Sequence, residues 1–178
     1  MNGLKLELEM KAIKANASQF NDVYGLLDAA RQWHLKNNLQ VWPIFSPDAV
    51  RLDIEEGRVF LFTDGIDYVA TLTVTETDPL IWGETIAPAL YMHKLTSVRD
   101  RIGQGIGAIV LDWTKNYALA QHKQYLRLDT WGGNMGLKAY YESHGFLHVS
   151  VKSFPLDSPL PDHYRGASMN LFEMRLNS

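Results

Sequence analysis

Three glycines at alternate positions precede a segment in which apolar residues recur with helical spacing. They are Gly103, Gly105 and Gly107. Because glycine has no side chain, the backbone N–H groups of such a turn can approach a ligand closely, and the helix N-terminus adds a partial positive charge. A loop that only turns the chain would not need to lose the backbone entropy of three glycines. The pattern therefore predicts a site for the phosphate groups of a ligand.

Positive charge lies close to these glycines in the sequence. It comes from Lys94, Arg99 and Arg101. The formal net charge of the whole chain is −3 at pH 7, so the chain has no general attraction for anions. Any anion site must therefore be local.

The same turn also fits a dinucleotide-binding fingerprint. Gly103, Gly105 and Ala108 match G-x-G-x-x-G/A, and Asp129 closes the next predicted strand about where a ribose-binding acid belongs. The dinucleotide turn normally follows its strand directly, whereas residues 98–102 intervene here. Too little chain follows Asp129 to complete a dinucleotide-binding sheet. A phosphate site of another kind is therefore favoured over a dinucleotide-binding site.

Composition excludes several other kinds of chemistry. The chain has no cysteine, which removes disulfides, thiolate metal sites and a cysteine acyl-enzyme. Its 178 residues, 46% hydrophobic and 21% charged, predict a single domain over residues 1–178. The N-terminus lacks the apolar stretch of a signal peptide, and no apolar run reaches the roughly 18–20 residues of a membrane span. We expect a cytoplasmic protein with no nucleic-acid partner, no membrane partner and no metal.

The first half of the chain combines strand and helix patterns. Leucines alternating with charged residues over 4–10 predict a half-buried strand. Helical spacing predicts a helix over about 20–34, and Ser46 followed by Pro47 looks like the cap of a short helix ending at Gly57. Two apolar runs around a Thr-Asp-Gly turn predict a hairpin with strands at 59–62 and 68–74.

The second half predicts a βαβ core around the glycine turn. Its strands are predicted at 89–97, 125–129, 146–154 and 169–176. Two helices are predicted, one after the glycine turn and one over 135–143 that stops at Gly145. A surface loop is predicted over 155–168. The buried stripe of the first helix is predicted as Ile106, Ile109, Val110, Trp113 and Tyr117.

Two of these segments resemble the GNAT superfamily of acyl-CoA-dependent N-acyltransferases. The family's phosphate turn, R/Q-x-x-G-x-G/A, aligns with residues 102–107, although Ile102 stands where arginine or glutamine is usual. The downstream pattern N-x-x-A-x-x-x-Y-E-x-x-G-F is also matched, with Leu137 in place of the alanine. The matching residues are Asn134, Tyr141, Glu142, Gly145 and Phe146. The resemblance is strong over 89–146 and implies an α+β fold: a mixed, mostly antiparallel sheet with a central, splayed parallel strand pair and flanking helices.

The resemblance implies acetyl-CoA as a co-substrate. Its pantetheine arm would lie between the splayed strands, against the backbone of Leu95, Thr96 and Ser97, and its pyrophosphate would lie on the glycine turn. Asn134 would hydrogen-bond the cofactor, or serve as an ordinary helix N-cap. The other cofactor-binding residues implied are Arg101, Ile102, Gly103, Gln104, Gly105, Ile106, Gly107, Ala108 and Tyr141.

The resemblance also implies direct acetyl transfer to an amine in a ternary complex. Tyr141 would protonate the departing thiolate, and the Leu95 N–H would stabilise the oxyanion. His93 is the predicted general base, because its ordinary pKa of about 6.5 suits proton transfer near neutral pH. One member of the family has a histidine at the matching strand position. Glu84 or a water molecule is the alternative base.

The acceptor is predicted to be a small-molecule or peptide amine. Asp78 and Glu84 are negative charges that could attract a cationic amine. Candidate lining residues are Trp33, His34, Trp42, Trp82 and Tyr164. The competing hypothesis is a non-catalytic module that binds acyl-CoA as a sensor or scaffold. The presence of both His93 and Tyr141 favours the enzyme, and a homodimer is compatible with the sequence.

Overall fold

The computed structural model describes residues 10–176. Its helices are α1 (Phe20–Lys36), α2 (Pro47–Glu55), α3 (Pro79–Trp82), α4 (Ile106–Ala120) and α5 (Met135–Ser143). Its strands are β1 (Lys11–Lys14), β2 (Val59–Thr63), β3 (Tyr68–Thr75), β4 (Ala89–Ser97), β5 (Tyr125–Trp131), β6 (Leu147–Ser153) and β7 (Ser168–Arg175). None of the helices within residues 10–176 combines the length and the apolar character that crossing a membrane requires.

Local chemistry explains where the first two helices form. Val23, Leu27 and Ala30 are buried and lie on one face of α1, which matches the helical period. In α2, Pro47 occupies the first turn, where a missing N–H costs nothing, and the Ser46 hydroxyl accepts a hydrogen bond from the Ala49 N–H at 3.4 Å. The predicted cap and helix are confirmed.

The strands form one seven-stranded sheet in the order β1-β2-β3-β4-β5-β7-β6. Each neighbouring pair is antiparallel except β4 and β5, which are parallel. The helix α4 connects β4 to β5, as a parallel pair requires. The predicted fold, a mostly antiparallel sheet with a central parallel pair and flanking helices, is confirmed.

The parallel pair separates before either strand ends. Its pairing runs from Ala89 opposite Tyr125 to Met92 opposite Leu128, and stops there. Beyond that point β4 remains paired with β3 and β5 remains paired with β7. The two central strands therefore splay, and the residues after Met92 and Leu128 border a gap.

A β-bulge in β4 lies at the start of this gap. Thr71 of β3 is opposite Thr96, but Thr73 is opposite His93, so β4 carries one extra residue here. Lys94 has a φ of 52°, a backbone conformation that non-glycine residues rarely adopt. As a result His93 and Lys94, although adjacent, both lie near the same charged residues of the α2 region.

The core is divided between the two faces of the sheet. One cluster packs α4 and α5 against β2 to β5 and β7, and includes Leu72, Leu126 and Phe172. A second cluster packs α1 and α2 against β2. A third joins Ile81 of α3 to residues of the loop between β6 and β7 and of β7 itself. The surface loop predicted over 155–168 thus contributes a buried apolar side chain, Leu160.

The predicted stripe of α4 is partly wrong. Ile106 and Val110 are buried as predicted, but the other fully buried positions are Leu111, Thr114 and Ala118. Trp113 and Tyr117 are only half-buried; they stack on each other at 5.1 Å and pack against Phe60 of β2. The rings of Trp113 and Tyr117 cover the edge of the interface between α4 and the sheet. The smaller side chains beside them therefore lie closest to the sheet.

Two further differences concern element boundaries. The short helix α3 was not predicted, because four residues are too few to show a period. Strand β5 extends beyond its predicted end to Trp131. The alternating leucines over 4–9 lie outside the described residues, and the first described strand is β1.

Arg127 joins the central strands just below the point where they separate. Its side chain donates hydrogen bonds to Glu173 of β7 at 2.7 Å and to the Tyr91 hydroxyl of β4 at 2.9 Å. The guanidinium also lies 4.9 Å from the centre of the Trp82 ring. Because Arg127 is only 9% exposed, these contacts are screened little by water.

Replacing Arg127 by methionine should destabilise the fold. The change leaves the Glu173 carboxylate and the Tyr91 hydroxyl without their partner, at a cost of about 2–4 kcal/mol in the free energy of unfolding by urea. Adding Glu173→Met should recover part of the loss, because the unpaired charge is then removed. Arg175→Met, an exposed change on β7, is the matched control and should cost much less. Equal losses for Arg127→Met and Arg175→Met would contradict this role.

Candidate active site

The glycine turn has the geometry of an anion site. Gly103 and Gly105 have φ values of 87° and 76°, in the left-handed region that favours glycine. Gly105 is the N-cap of α4 and has no side chain to accept the first N–H groups of that helix. Gly107 is needed for another reason, since a Cβ there would lie 2.5 Å from the Tyr140 hydroxyl. The helix mouth is therefore uncapped, and Tyr140 lies beside it.

The predicted basic residues near the turn are each engaged with another side chain. Arg101 forms ion pairs with Asp64 and Asp67 of the β2–β3 hairpin. The Arg99 guanidinium lies 4.8 Å from the centre of the Trp33 ring. Lys94 forms an ion pair with an aspartate of α2. A phosphate at the turn would therefore have to compete with the acidic hairpin for Arg101.

Two cavities adjoin this turn. One of about 580 Å³ lies between α1 and the hairpin, and Arg101 forms part of its lining. A second of about 280 Å³ is lined by α1 and by residues 97–100. Ser97, a predicted cofactor contact, thus lines a cavity between α1 and the segment that precedes the glycine turn.

Each separated strand carries a buried threonine with an unsatisfied hydroxyl. Thr96 on β4 is 3% exposed and Thr130 on β5 is 8% exposed. Within residues 10–176 neither hydroxyl has a hydrogen-bond partner. Buried hydroxyls are normally paired, so these two hydroxyls on the separated segments are available to a polar ligand. Leu95, between His93 and Thr96, is half-buried against the main core.

A cluster of ionisable side chains lies at the start of the gap. Each of Asp78, His93 and Asp129 offers one ligand atom, and these atoms lie within 4.8 Å of one another. His93 and Asp129 are the first residues after the last β4–β5 pair, and Asp78 precedes α3. Tyr164, from the loop between β6 and β7, hydrogen-bonds the Asp129 carboxyl. Groups at this spacing can surround a small cation, either a divalent metal ion or the ammonium group of a substrate.

The cluster shifts the pKa of each member away from its ordinary value. Burial, followed by the charge of Asp78, raises the pKa of Asp129 to about 7. Burial raises the pKa of Asp78 to about 6. Burial, followed by the charge of Lys94, lowers the pKa of His93 to about 4. Near neutral pH, Asp129 is therefore closer to its own pKa than His93, which stays uncharged and is a weak base.

His93 is held by a neighbouring strand. Its Nε2 lies 2.9 Å from the Thr75 hydroxyl of β3. The predicted alternative base, Glu84, is exposed in the loop after α3. The structure thus brings His93 into the ionisable cluster and leaves Glu84 on the surface.

Tyr141 is buried in the main core. It is 8% exposed, and its ring packs 5.6 Å from the rings of both Phe146 and Phe172. Burial raises the pKa of Tyr141 above its ordinary value, and Tyr140 and Asp129 raise it further. Its hydroxyl therefore stays protonated at neutral pH, which a proton donor requires, and it lies within electrostatic reach of Asp129.

Asn134 has the capping role that the sequence allowed. Its side chain accepts a hydrogen bond from the Leu137 N–H at 2.9 Å at the start of α5. This contact uses the side-chain oxygen and leaves the amide NH₂ of Asn134 for another partner.

The candidate acceptor residues fall into two groups. Trp33, His34 and Trp42 form an aromatic chain at the end of α1 and in the following loop. Tyr164 instead adjoins the ionisable cluster through Asp129, and Trp82, at the end of α3, packs against Tyr91 and Arg127. The Trp82 Nε1 is buried and has no hydrogen-bond partner among the described residues.

Comparison with known proteins agrees with this architecture. No family model matches the chain. A curated Bacillus subtilis protein, the uncharacterized N-acetyltransferase YesJ, is 31% identical over 98 residues. These are 52% of this chain and 54% of that protein, so the match spans about half the length of the relative.

Solved structures match over nearly the whole chain. An acetyltransferase of the GNAT family from Listeria monocytogenes has a TM-score of 0.75 at 18% identity, over 94% of this chain and 95% of that one. The chain therefore has the fold of the GNAT acetyltransferases. The Escherichia coli ribosomal-protein-S18-alanine N-acetyltransferase has a TM-score of 0.68 at 14% identity, over 95% of both chains. The NatC complex bound to Gag peptide and CoA has a TM-score of 0.68 at 13% identity, over 95% of this chain and 99% of that one.

Two residues of the candidate site were not assigned to it from the sequence. From the sequence, Asp129 fits only the ribose acid of the rejected dinucleotide fingerprint, and Tyr140 has no predicted role in the site. A signal for Asp129 existed, because it is a carboxylate in a mostly apolar strand that was predicted to splay from its partner. Tyr140 had no such signal, since its approach to Gly107 depends on how α5 packs on α4.

The raised pKa of Asp129 predicts a pH-dependent stability. The folded protein holds this proton up to about pH 7, whereas the ordinary pKa is 3.8, so the folded state binds more protons between these values and stability falls as pH rises through the window. Asp129→Asn should therefore raise the free energy of unfolding by on the order of 1–3 kcal/mol at about pH 8, and by much less at about pH 4. Urea titrations at the two pH values measure this. A gain that does not depend on pH would contradict the raised pKa.

Proposed function

We propose that this protein is an N-acetyltransferase that moves the acetyl group of acetyl-CoA to a primary amine by direct attack in a ternary complex. The observation that carries the proposal is the gap after Met92 and Leu128. It has an uncapped helix mouth near one end and the Asp78, His93 and Asp129 cluster at its start. A thioester carrier with a diphosphate and an amide-containing arm fits these features.

The donor side is supported by the unsatisfied groups around the gap. The helix mouth at Gly105 suits a pyrophosphate. The backbone from Leu95 to Ser97 and the hydroxyls of Thr96 and Thr130 suit the amides of a pantetheine arm. The NatC structure, a neighbour in fold, holds CoA, and the relative YesJ is named an N-acetyltransferase.

Bound acetyl-CoA would supply the thioester that the amine attacks. In this chain the Tyr141 hydroxyl would donate a proton to the departing thiolate, and the Leu95 N–H would stabilise the oxyanion. Because the chain has no cysteine, the most plausible covalent carrier of an acetyl group is absent, which supports direct transfer. The assignment of His93 as base stays a prediction, and its lowered pKa weakens it.

The acceptor is a small-molecule or peptide amine. Neighbours in fold include proteins named for both kinds, ribosomal protein S18 alanine and spermidine. We propose one domain over residues 1–178, while the cytoplasmic location and a homodimer stay predictions. The competing function is an acyl-CoA-binding module without turnover. Thiol release from acetyl-CoA across a panel of amines separates the two, because a sensor would bind acetyl-CoA and release no thiol.

A side chain at the helix mouth should prevent cofactor binding. Gly105→Ala places a methyl group in open space that the pyrophosphate would occupy, so the affinity for CoA should fall by at least about tenfold. Gly57→Ala is the matched control, because Gly57 has a similar φ of 68° but lies at the end of α2. Both variants carry the same backbone strain, of about 1–2 kcal/mol. Calorimetric titration with CoA measures the difference, and equal affinities in the two variants would count against the site.

Removing the Tyr141 hydroxyl should slow the reaction without weakening cofactor binding. Tyr141→Phe deletes the proposed proton donor but keeps the ring that packs on Phe146 and Phe172, so kcat should fall by on the order of 10²–10⁴ while CoA affinity stays nearly constant. Tyr117→Phe, a half-buried ring on α4, is the control. Thiol release from acetyl-CoA is the assay, and an unchanged kcat in Tyr141→Phe would remove the acid assignment.

A further inference from the structure

We propose that Asp129 takes the proton from the acceptor, and that Asp78 and Asp129 together select an acceptor that arrives as a primary ammonium ion. This inference rests on the proposed function and adds the class of amine and the identity of the base. It is an alternative to His93, which the sequence had suggested.

The position of Asp129 carries the first step of the argument. A general base must lie within hydrogen-bond reach of the reacting nitrogen, directly or through one water. Asp129 is the first residue of β5 after its last pair with β4. In the proposed function the thioester lies in the gap that opens there, so the carboxyl of Asp129 borders the place where the amine would attack. Among the exposed acids of the chain, including Glu84, none shares this position in the described structure.

The second step of the argument is that no cationic side chain among the described residues is paired with Asp78 or Asp129. Two carboxyl groups face each other at Asp78 and Asp129, yet within residues 10–176 neither forms an ion pair with a lysine or arginine. The positive group with an effect on Asp78 is Lys152, whose ammonium donates instead to the Ile81 carbonyl at 2.7 Å. The Asp78 Oδ2 is buried without a hydrogen-bond partner among the described residues. A substrate ammonium between the two carboxyl groups would supply the donor that the Asp78 Oδ2 lacks.

An ammonium ion explains the surroundings better than a metal ion does. The Asp129 carboxyl already accepts a hydrogen bond from Tyr164, and the His93 Nε2 is occupied by Thr75. These contacts reduce the ligand capacity of two of the three groups.

The electrostatics of the cluster favour Asp129 over His93 as the base. Asp129 has a pKa of about 7, raised mainly by burial and then by Asp78, so it can both accept and release a proton near neutral pH. His93, whose pKa is lowered to about 4, cannot do so. The titratable groups that face Asp129 are Asp78 before α3, His93 on β4, Tyr141 on α5 and Tyr164 in the loop between β6 and β7. The tyrosines stay neutral, because burial raises the pKa of each.

The reaction balances with these groups. The ammonium transfers a proton to the Asp129 carboxylate and becomes a neutral amine. Its nitrogen forms a bond to the thioester carbonyl carbon, and the carbon–sulfur bond breaks. The thiolate takes a proton from Tyr141, and the second proton lost by the nitrogen restores the Tyr141 hydroxyl. Asp129 then releases its proton to water, so the net products are amide, thiol and one proton.

Asp129→Asn tests the base with two acceptors of different basicity. For butylamine, which is charged near neutral pH, kcat/KM should fall by on the order of 10²–10⁴. For O-methylhydroxylamine, which is uncharged at the same pH, the fall should be less than about tenfold, because no proton must be removed before attack. Affinity for acetyl-CoA should not change. In the wild type, the rate with butylamine should rise through an ionisation near pH 7 that Asp129→Asn lacks.

Two further variants complete the experiment. Asp78→Asn should raise KM for butylamine by about tenfold and change kcat less, because Asp78 holds the ammonium but does not take its proton. Asp157→Asn, an exposed change in the loop that carries Tyr164, is the matched control and should leave the kinetics unchanged.

Four results would overturn the proposal. The first is wild-type kinetics in Asp129→Asn. The second is an equal loss for both acceptors, which would mean a structural role. The third is a wild-type preference for uncharged or carboxylate-bearing amines. The fourth is loss of wild-type turnover on chelation, restored by one divalent metal, which would assign the cluster to a metal ion. Acetyl-CoA binding without turnover on any amine would instead reject the proposed function, and this inference with it.

Discussion

The structure depends on one constraint: the parallel strands β4 and β5 are hydrogen-bonded over only part of their length. After Met92 and Leu128, the inner edges of β4 and β5 no longer hydrogen-bond each other, although each keeps its outer partner. Unpaired edge groups in the middle of a sheet need other partners, either water or a ligand. A ligand that is itself a chain of amides meets this requirement in the way a further strand would. The gap is therefore best understood as an unfilled strand position.

The gap is held open by features on both sides of it. Below it, Arg127 bridges β4 to β7 across β5, which keeps the paired part of the strands together. At its start, the bulge at Lys94 interrupts the regular pairing of β4 with β3, and the Lys94 ammonium forms an ion pair with Asp53 of α2. The extra residue thus lies where the donor gap begins and next to His93 of the cluster.

The sequence was sufficient to predict the elements whose ends are determined by neighbouring residues in the chain. Strand β4 and helix α5 have the predicted bounds, because Asn134 caps α5, Gly145 ends it with a φ of 87°, and glycines end β4's connection to α4. The fold followed from two such local motifs in the right order. Helix α3 was not predictable, since four residues show no period. The proximity of Asp78 to Asp129 was not predictable either. It depends on strand register and on how α3 packs against strands that are distant in the sequence.

Burying two carboxyl groups beside each other is a poor way to stabilise a fold. Burial raises the pKa of both Asp78 and Asp129, and the charge of Asp78 raises that of Asp129 further, so the folded protein loses stability as they ionise. Apolar residues at these two positions would extend the neighbouring cluster around Ile81 and Leu171 at no such cost. Acidic residues that have strongly shifted pKa values and do not stabilise the fold are typical of functional sites. The location of this pair, at the opening of the one gap in the central sheet among the described residues, connects that cost to the chemistry of the acceptor amine.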